Sequence, residues 1–553
     1  AHYYLGLCYL KTGRLLDSEM ALWKARRSRK YLPTASYLLA LIKVRNKEYG
    51  EAERIFAEGL QGNGRDLKGL FLLSAVLRRR GKAKEALVVV GDALDVSPLH
   101  YQTLCERMFC ARGTNGFGVA ESEFKRVVLE DGQKVLAVAI EYVVAGLFEE
   151  AEAVLRMGID SGLDGPMIHY CLGFVLEKLG RTEERDEAYR IGNLGNPDYV
   201  FPHRLEEEAI LRSAKDASGD PKPSYYLGNL LFYLKRFGEG VKEWELAEER
   251  GMRHPILHRN LGYAYHRIYR RGEKALEQYE RAIELDPSNH RLYLEYSDVC
   301  SWLGLTKKEI DALESAKGRV RKDSILARLS SAYVEAGRYG DALEILTVNE
   351  FTPAEGHYGN WETFVEAHVR RGVKSMIEKK WEEAMDDFKI ALGYPANLGV
   401  GAPYRPHRHE AMQKYWMGEC HLSLGEGEKA KGTWEEMLGQ KALTEQEAYY
   451  KGLGLKGLGR RKEAVDLYEG ALEAAQQREG KFLGLKVTMP LEYFNFMNYD
   501  RELTRIYCRK MIAYLVLGRR KEALREYGKA QRICKDLGHY KWIRRMFLSN
   551  LPT

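Results

Sequence analysis

The chain has 553 residues and a mass of 63.4 kDa, more than one hydrophobic core of about 100–200 residues organises, so several domains or a repeat array are expected. With 45% hydrophobic and 30% charged residues the composition is globular, which excludes wholesale disorder. The formal charge of +7, from 86 Lys+Arg against 79 Asp+Glu, is a small surplus and only weak support for nucleic-acid binding; no nucleic-acid partner is expected.

Fifteen prolines and a wealth of Ala, Leu, Glu, Lys and Arg favour helix over sheet. The eight cysteines (8, 105, 110, 171, 300, 420, 508, 534) stand singly, with no C-x-x-C pair. Buried reduced thiols are expected, and neither a metal site nor a cofactor. No run of about 18 apolar residues spans a membrane, and no signal peptide is visible, so a cytoplasmic location is expected. The first residue is Ala1, inside what reads as a helix already under way, and a longer parent chain is expected.

From the N-terminus onward the spacing is regular. Leu5, Gly6 and Tyr9, then Leu22 and Ala25, set out small and large positions, and the small marker recurs at Ala40 and Ser74 in steps of 34 residues. It returns 34 apart at Ala139 and Gly173, at Gly228 and Gly262, and at Gly418 and Gly452. Ser330 lies 68 residues beyond Gly262, with Tyr296 halfway. The fullest copy runs through Leu261, Gly262, Tyr265, Ala275, Tyr279, Ala282 and Pro287. This resembles the tetratricopeptide repeat, whose period is about 34 residues. Two antiparallel helices meet at the small positions, and large residues fill the gaps between them. One such pair cannot bury its apolar face, so pairs stack. The expected fold is all-α: a tetratricopeptide α-solenoid of thirteen or fourteen repeats, wound into a right-handed superhelix. Its concave groove would be lined by first helices, and the weakest stretch is 100–135.

The period fails in four places. The marker spacing exceeds 34 by 21 residues between Gly173 and Gly228, by eight between Ser330 and Gly372, by twelve between Gly372 and Gly418, and by 25 between Gly452 and Met511. The expected divisions are N-terminal repeats over 1–195, an insertion with an extra helix over 196–220, and central repeats over 221–348. A repeat with two loop insertions follows over 349–410, then C-terminal repeats over 411–553 with an insertion at 478–500. Insertions in a solenoid map to loops, often on the binding face.

Several unusual strings lie in or near these insertions: Ala1 to Gly6, Pro197 to Glu207, Tyr225 to Leu230 and His258 to Leu261. Phe351-x-Pro-x-Glu-Gly356, Tyr394-Pro-x-Asn-Leu-Gly399 and Arg505-Ile-x-Cys508 continue the set. On these strings the whole chain resembles the C-terminal repeat half of a large family of uncharacterised proteins. The N-terminal half of those proteins is a domain of unknown function with a galactose-mutarotase-like β-sandwich. The family usually has Trp after the Pro of the Phe-x-Pro loop, where this chain has Ala354. The resemblance implies a β-sandwich partner in cis, absent from this chain, and a carbohydrate-related context.

Three clusters carry candidate chemistry. His203, Arg204, Glu206 and Glu207 could hold a polyhydroxylated ligand or do acid–base work; equally, a Phe-Pro turn could lead into a capped helix with ordinary ion pairs. Glu355, His357, Trp361 and Glu362 suit sugar stacking and hydroxyl recognition, or Trp361 staples the loop. Asn397 lies in the third insertion, followed by Arg405, His407, Arg408, His409 and Glu410. Two arginines beside His-x-His repel a cation, so a polar or anionic contact is expected there rather than a metal. The aromatic run from Tyr493 to Asp500 reads as a packed Ω-type loop.

No Walker loop, dinucleotide fingerprint, G-x-S-x-G elbow or H-E-x-x-H is present. The carboxylate clamp of chaperone-binding repeats is incomplete: Asn229 and Asn260 fit, but Tyr225, His290 and Leu294 stand where basic residues are needed. The expected function is a binding scaffold that organises the β-sandwich, presents its groove to a protein or peptide, and self-associates. The alternative is part of a glycoside-processing enzyme whose insertion loops complete a glycan site.

Overall fold

The computed structural model describes residues 1–320, 322–353, 359–401, 410–440, 445–535, 537, 542 and 543. Glu355, His357, Arg405, His407, Arg408 and His409 lie outside the described residues. Every regular element among the described residues is helical, and contacts divide the chain into two compact units, Ala1–Met252 and Arg253–Thr553.

Unit 1 begins with α1 (His2–Lys11) against α2 (Leu15–Ala25) and α3 (Leu32–Arg45) against α4 (Tyr49–Gly62). Then come α5 (Leu67–Arg79) with α6 (Ala83–Val96), and α7 (Tyr101–Ala111) with α8 (Phe117–Val128). The pairs α9 (Gly132–Ala145) with α10 (Phe148–Asp160) and α11 (Pro166–Lys178) with α12 (Thr182–Leu194) follow. A single helix, α13 (Glu207–Ala217), precedes the pair α14 (Pro221–Tyr233) and α15 (Phe237–Glu249). The stretch 100–135, the faintest in sequence, is an ordinary pair.

Unit 2 opens with α16 (Pro255–Arg267) on α17 (Gly272–Leu285) and α18 (His290–Leu303) on α19 (Thr306–Arg319). It continues with α20 (Asp323–Glu335) on α21 (Tyr339–Val348), and α22 (Gly359–Ile377) on α23 (Trp381–Ile390). Next are α24 (Ala411–Ser423) on α25 (Gly427–Leu438) and α26 (Glu445–Gly457) on α27 (Arg461–Thr488). The short α28 (Leu491–Phe496) leads into the last pair, α29 (Tyr499–Val516) and α30 (Arg520–Ile533). Fourteen antiparallel pairs are thus present among the described residues.

The 34-residue marker has a physical cause. Each marker glycine is where the first helix of a pair receives the bulky side chain sixteen or seventeen residues later, on the second. A Cβ on Gly262 would lie 2.9 Å from Tyr279 Cε2, and one on Gly372 would lie 2.6 Å from Phe388 Cε1. Tyr279 and Phe388 are buried in consequence. At these two glycines a larger residue would press on the ring and hold the two helices apart.

The insertions differ in kind. The first is an extended segment, with Asn196 Oδ1 accepting from the Asp198 amide at 2.9 Å, followed by the extra helix α13. The second and third meet: the Phe351 amide donates to Asn397 O at 2.7 Å, and Leu398 is buried. The fourth departs from the expected loop. Most of its length continues α27 to 28 residues, and the aromatic run is divided between the end of α28 and the first turn of α29. The thiols also differ in part: six cysteines are buried and Cys534 half-buried, while Cys8 is exposed.

Candidate functional site

In unit 1 the first helices of five successive pairs line one cleft of about 310 Å³. Leu7 and Leu10 come from α1, Leu38 and Leu41 from α3, and Ile140 from α9, giving an apolar floor. The rim is charged. Lys68 on α5 pairs with Glu141 on α9 at 2.7 Å, and Arg45 Nε donates to Val144 O at 2.7 Å across 99 residues of sequence. Tyr37, also on the wall, has its phenol pushed well above the ordinary range by burial and by the charges of Glu141 and Asp66, so it stays protonated.

The first insertion closes one side of this cleft. Arg204 and Glu206 both reach it, Arg204 donating to Gln133 Oε1 at 3.3 Å and Glu206 lying 3.6 Å from Lys11 Nζ. Glu207 turns the other way, into the protein. Its Oε2 accepts from the His203 and Arg204 amides at 2.7 Å each, and Arg204 Nη1 lies 3.2 Å from Oε1. It therefore fixes the turn that begins α13, and the His203 ring is left exposed, its Nδ1 3.1 Å from Phe201 O. The arrangement is a turn pinned by Glu207 that leads into α13 without a side-chain cap on the helix, and Arg204 and Glu206 project from it to the cleft.

In unit 2 the described candidates serve the junction of the second and third insertions. Trp361 is buried, its indole N–H donating to Gly393 O at 2.8 Å. Its ring stacks on Tyr394 with centroids 4.6 Å apart and planes 7° from parallel. A ring so enclosed is spent on packing and has little surface to offer a sugar. Asn397 Nδ2 donates to Leu346 O at 2.8 Å and Asn349 O at 2.9 Å, tying the third insertion to the end of α21. Glu362 is exposed at the start of α22. Glu410 is buried, beside Lys414 Nζ at 3.0 Å, as part of the packing under α24.

The two amide bonds of Asn397 make a test of that junction. Asn397→Ala leaves two backbone carbonyls without their donor, at a cost of about 1–3 kcal/mol. Hydrogen exchange of the full chain should then show peptides over 346–353 losing protection while those of α24 keep theirs. Unchanged protection over 346–353 would remove Asn397 from this role.

Among the described residues no group of three or more His, Cys, Asp or Glu is placed to hold a metal ion. No described helix is long and apolar enough to cross a membrane. The residues sequence reasoning missed are Lys11, Arg45, Lys68 and Glu141, which read singly as solvated charges on amphipathic helices. Only the repeat period, which puts equivalent positions of successive first helices side by side, could have grouped them.

Helix pairs with this period and these close contacts define an all-α helical-repeat protein of tetratricopeptide type. In agreement, the family model of the tetratricopeptide repeat matches residues 225–290. No curated protein matches the chain. Among solved structures, a tetratricopeptide repeat protein from Parabacteroides merdae is 15% identical, covering 47% of this chain and 96% of its own, with a TM-score of 0.24. The Naa15/Naa10 structure bound to HypK-THB is 16% identical over 100% of this chain and 97% of its own, with a TM-score of 0.24. YrrB, described as a tetratricopeptide protein with an unusual peptide-binding site, is 18% identical over 44% of this chain and 97% of its own, with a TM-score of 0.17.

Proposed function

We propose that this chain is a protein-binding scaffold whose unit 1 cleft receives a peptide segment of a partner. The observation that carries the reading is the cleft itself: an apolar floor from the first helices, rimmed by Lys11, Arg45, Lys68 and Arg204 against Glu141 and Glu206. Apolar floors take side chains out of water, and charged rims set register and orientation. Four cations against two carboxylates favour a segment with apolar anchors flanked by acidic residues. The glycoside-processing alternative has no comparable support. Trp361 is buried, Glu207 holds a turn, and Glu355 and His357 lie outside the described residues.

The test is a display selection of random peptides on the full chain, followed by anisotropy measurements with the selected sequences. Lys68 is largely exposed, so Lys68→Glu should leave the fold intact. It places a carboxylate beside Glu141, and selected peptides should lose about tenfold or more in affinity. Equal affinity for wild type and Lys68→Glu, or no peptide enriched above background, would overturn the assignment to this cleft.

A further inference from the structure

Unit 2 holds a second cleft, of about 320 Å³, into which five guanidinium groups are gathered. Arg267 ends α16, Arg270 lies in the turn after it, and Arg328 stands on α20; Arg501 and Arg505 face them from α29. Groups more than 230 residues apart in sequence are thus brought together. Besides the Arg270–Asp500 ion pair, hydrogen bonds hold the junction. Asn495 Nδ2 donates to Ile268 O at 2.7 Å, and the Lys535 amide donates to Trp302 O at 2.8 Å. Arg267 Nη1 donates to Asn498 Oδ1 at 3.0 Å.

Five guanidiniums are met by only two carboxylates in the cleft, Asp298 and Asp500. Asp298 is shared by Arg328 and Arg267, the latter at 3.8 Å, and Asp500 pairs with Arg270. Arg505 pairs outward with Glu502 at 2.7 Å. The Arg501 side chain forms no ion pair or hydrogen bond among the described residues, and the buried Nε of Arg270 has no hydrogen-bond partner there. His266, on the same wall, adds no charge at neutral pH: burial and the charges of Arg267 and Arg270 push it down to about 3. The seam therefore carries like charges on both faces, with donors left over and room for a ligand of several heavy atoms.

We propose that this cleft binds a small, multiply charged phosphate-type anion, bridging Arg267 and Arg270 on one side and Arg501 on the other. Guanidinium forks bond phosphoryl oxygens in pairs, and a terminal phosphoryl group presents three oxygens, so one group can engage forks on two sides where a carboxylate, with two oxygens, fills one. An anion in this place would also offset the mutual repulsion of Arg267, Arg270 and Arg501. Nothing in this proposal depends on the unit 1 cleft.

The experiment is isothermal titration of the full chain with inorganic pyrophosphate, backed by thermal unfolding at matched ionic strength in chloride and in succinate. Wild type should bind pyrophosphate saturably and gain more in Tm than in either control. Arg501→Gln should weaken binding about tenfold or more without lowering the Tm of the unliganded chain, because the Arg501 side chain makes no ion pair or hydrogen bond among the described residues. Arg267→Gln, which does lose an internal bond, should weaken binding and also lower the unliganded Tm. The proposal is overturned if pyrophosphate stabilises no better than chloride, if succinate binds as tightly, or if Arg501→Gln binds like wild type.

Discussion

Glu106→Ala should lower the stability of unit 1 by about 3–5 kcal/mol, the usual cost of removing one member of a buried ion pair. Glu106 on α7 is fully buried, and Arg78 grips it in two bonds, Nε to Oε2 and Nη2 to Oε1, both 2.8 Å. The Tyr142 hydroxyl of α9 donates to Oε1 at 2.7 Å. Arg78 extends a further bond to Glu150 at 2.9 Å, which also accepts from Arg79 Nε at 2.6 Å. Four helices, α5, α7, α9 and α10, are thereby fastened by one network. Deleting the central carboxylate leaves the Tyr142 phenol out of water with no acceptor and Arg78 with Glu150 as its one remaining carboxylate, and that, more than the lost attraction, sets the size of the effect. Peptides from α5, α7 and α9 should lose hydrogen-exchange protection first. If they keep it while global unfolding shifts by less than about 1 kcal/mol, the network is not the fastening described here.

The same network has a pH signature. Burial pushes the Glu150 carboxyl up, but the Arg79 hydrogen bond and the Arg78 charge outweigh it, and the group lies below its ordinary value. A depressed folded-state pKa means stability that is fully present above the unfolded value of about 4.3 and is lost as pH falls through the folded one. Acid unfolding of Glu150→Gln, followed by circular dichroism, should therefore be shallower below about pH 4 than that of wild type. An identical acid limb would show that Glu150 titrates alike in both states.

What could be read in the chain follows from how local each signal is. Gly262 and Tyr279 lie half a repeat apart, and their contact is local, so spacing alone exposes it. Trp361 was ambiguous because the ring that covers it, Tyr394, belongs to another insertion, and no spacing rule links the two. The 25-residue excess between Gly452 and Met511 is largely helix, where an Ω-type loop was expected over Tyr493 to Asp500. Length counts residues, whereas the stretch after Ala475, rich in Gln, Arg, Lys and Leu with no proline before Pro490, simply continues the helix. The arginine seam was least legible. A net charge of +7 spread over the chain conceals a cleft where five cations face two anions, because Arg267 and Arg501 become neighbours only through the packing of the whole unit.

Trp434→Ala should be the most damaging single truncation in the C-terminal repeats, at about 3–5 kcal/mol. Its ring is 2% exposed and its indole N–H donates to Tyr415 O at 3.2 Å. Glycines enclose it from two helices: a Cβ on Gly418 of α24 would lie 2.5 Å from Cε2, and one on Gly457 of α26 would lie 2.5 Å from Cζ3. The companion variant, Gly418→Ala, sets two effects against each other. Helix propensity favours alanine by about 0.5–1 kcal/mol, while forcing a methyl group into a filled contact costs about 1–3 kcal/mol. The indole cannot yield, since Gly457 closes the other side, so overpacking wins and Gly418→Ala should be destabilising. In the Trp434→Ala background the obstruction is gone, and the same change should become neutral or stabilising. The double-mutant cycle should therefore return a coupling of about 1–3 kcal/mol. Additivity to within about 0.5 kcal/mol would mean that the marker glycine is present for some reason other than the ring it faces.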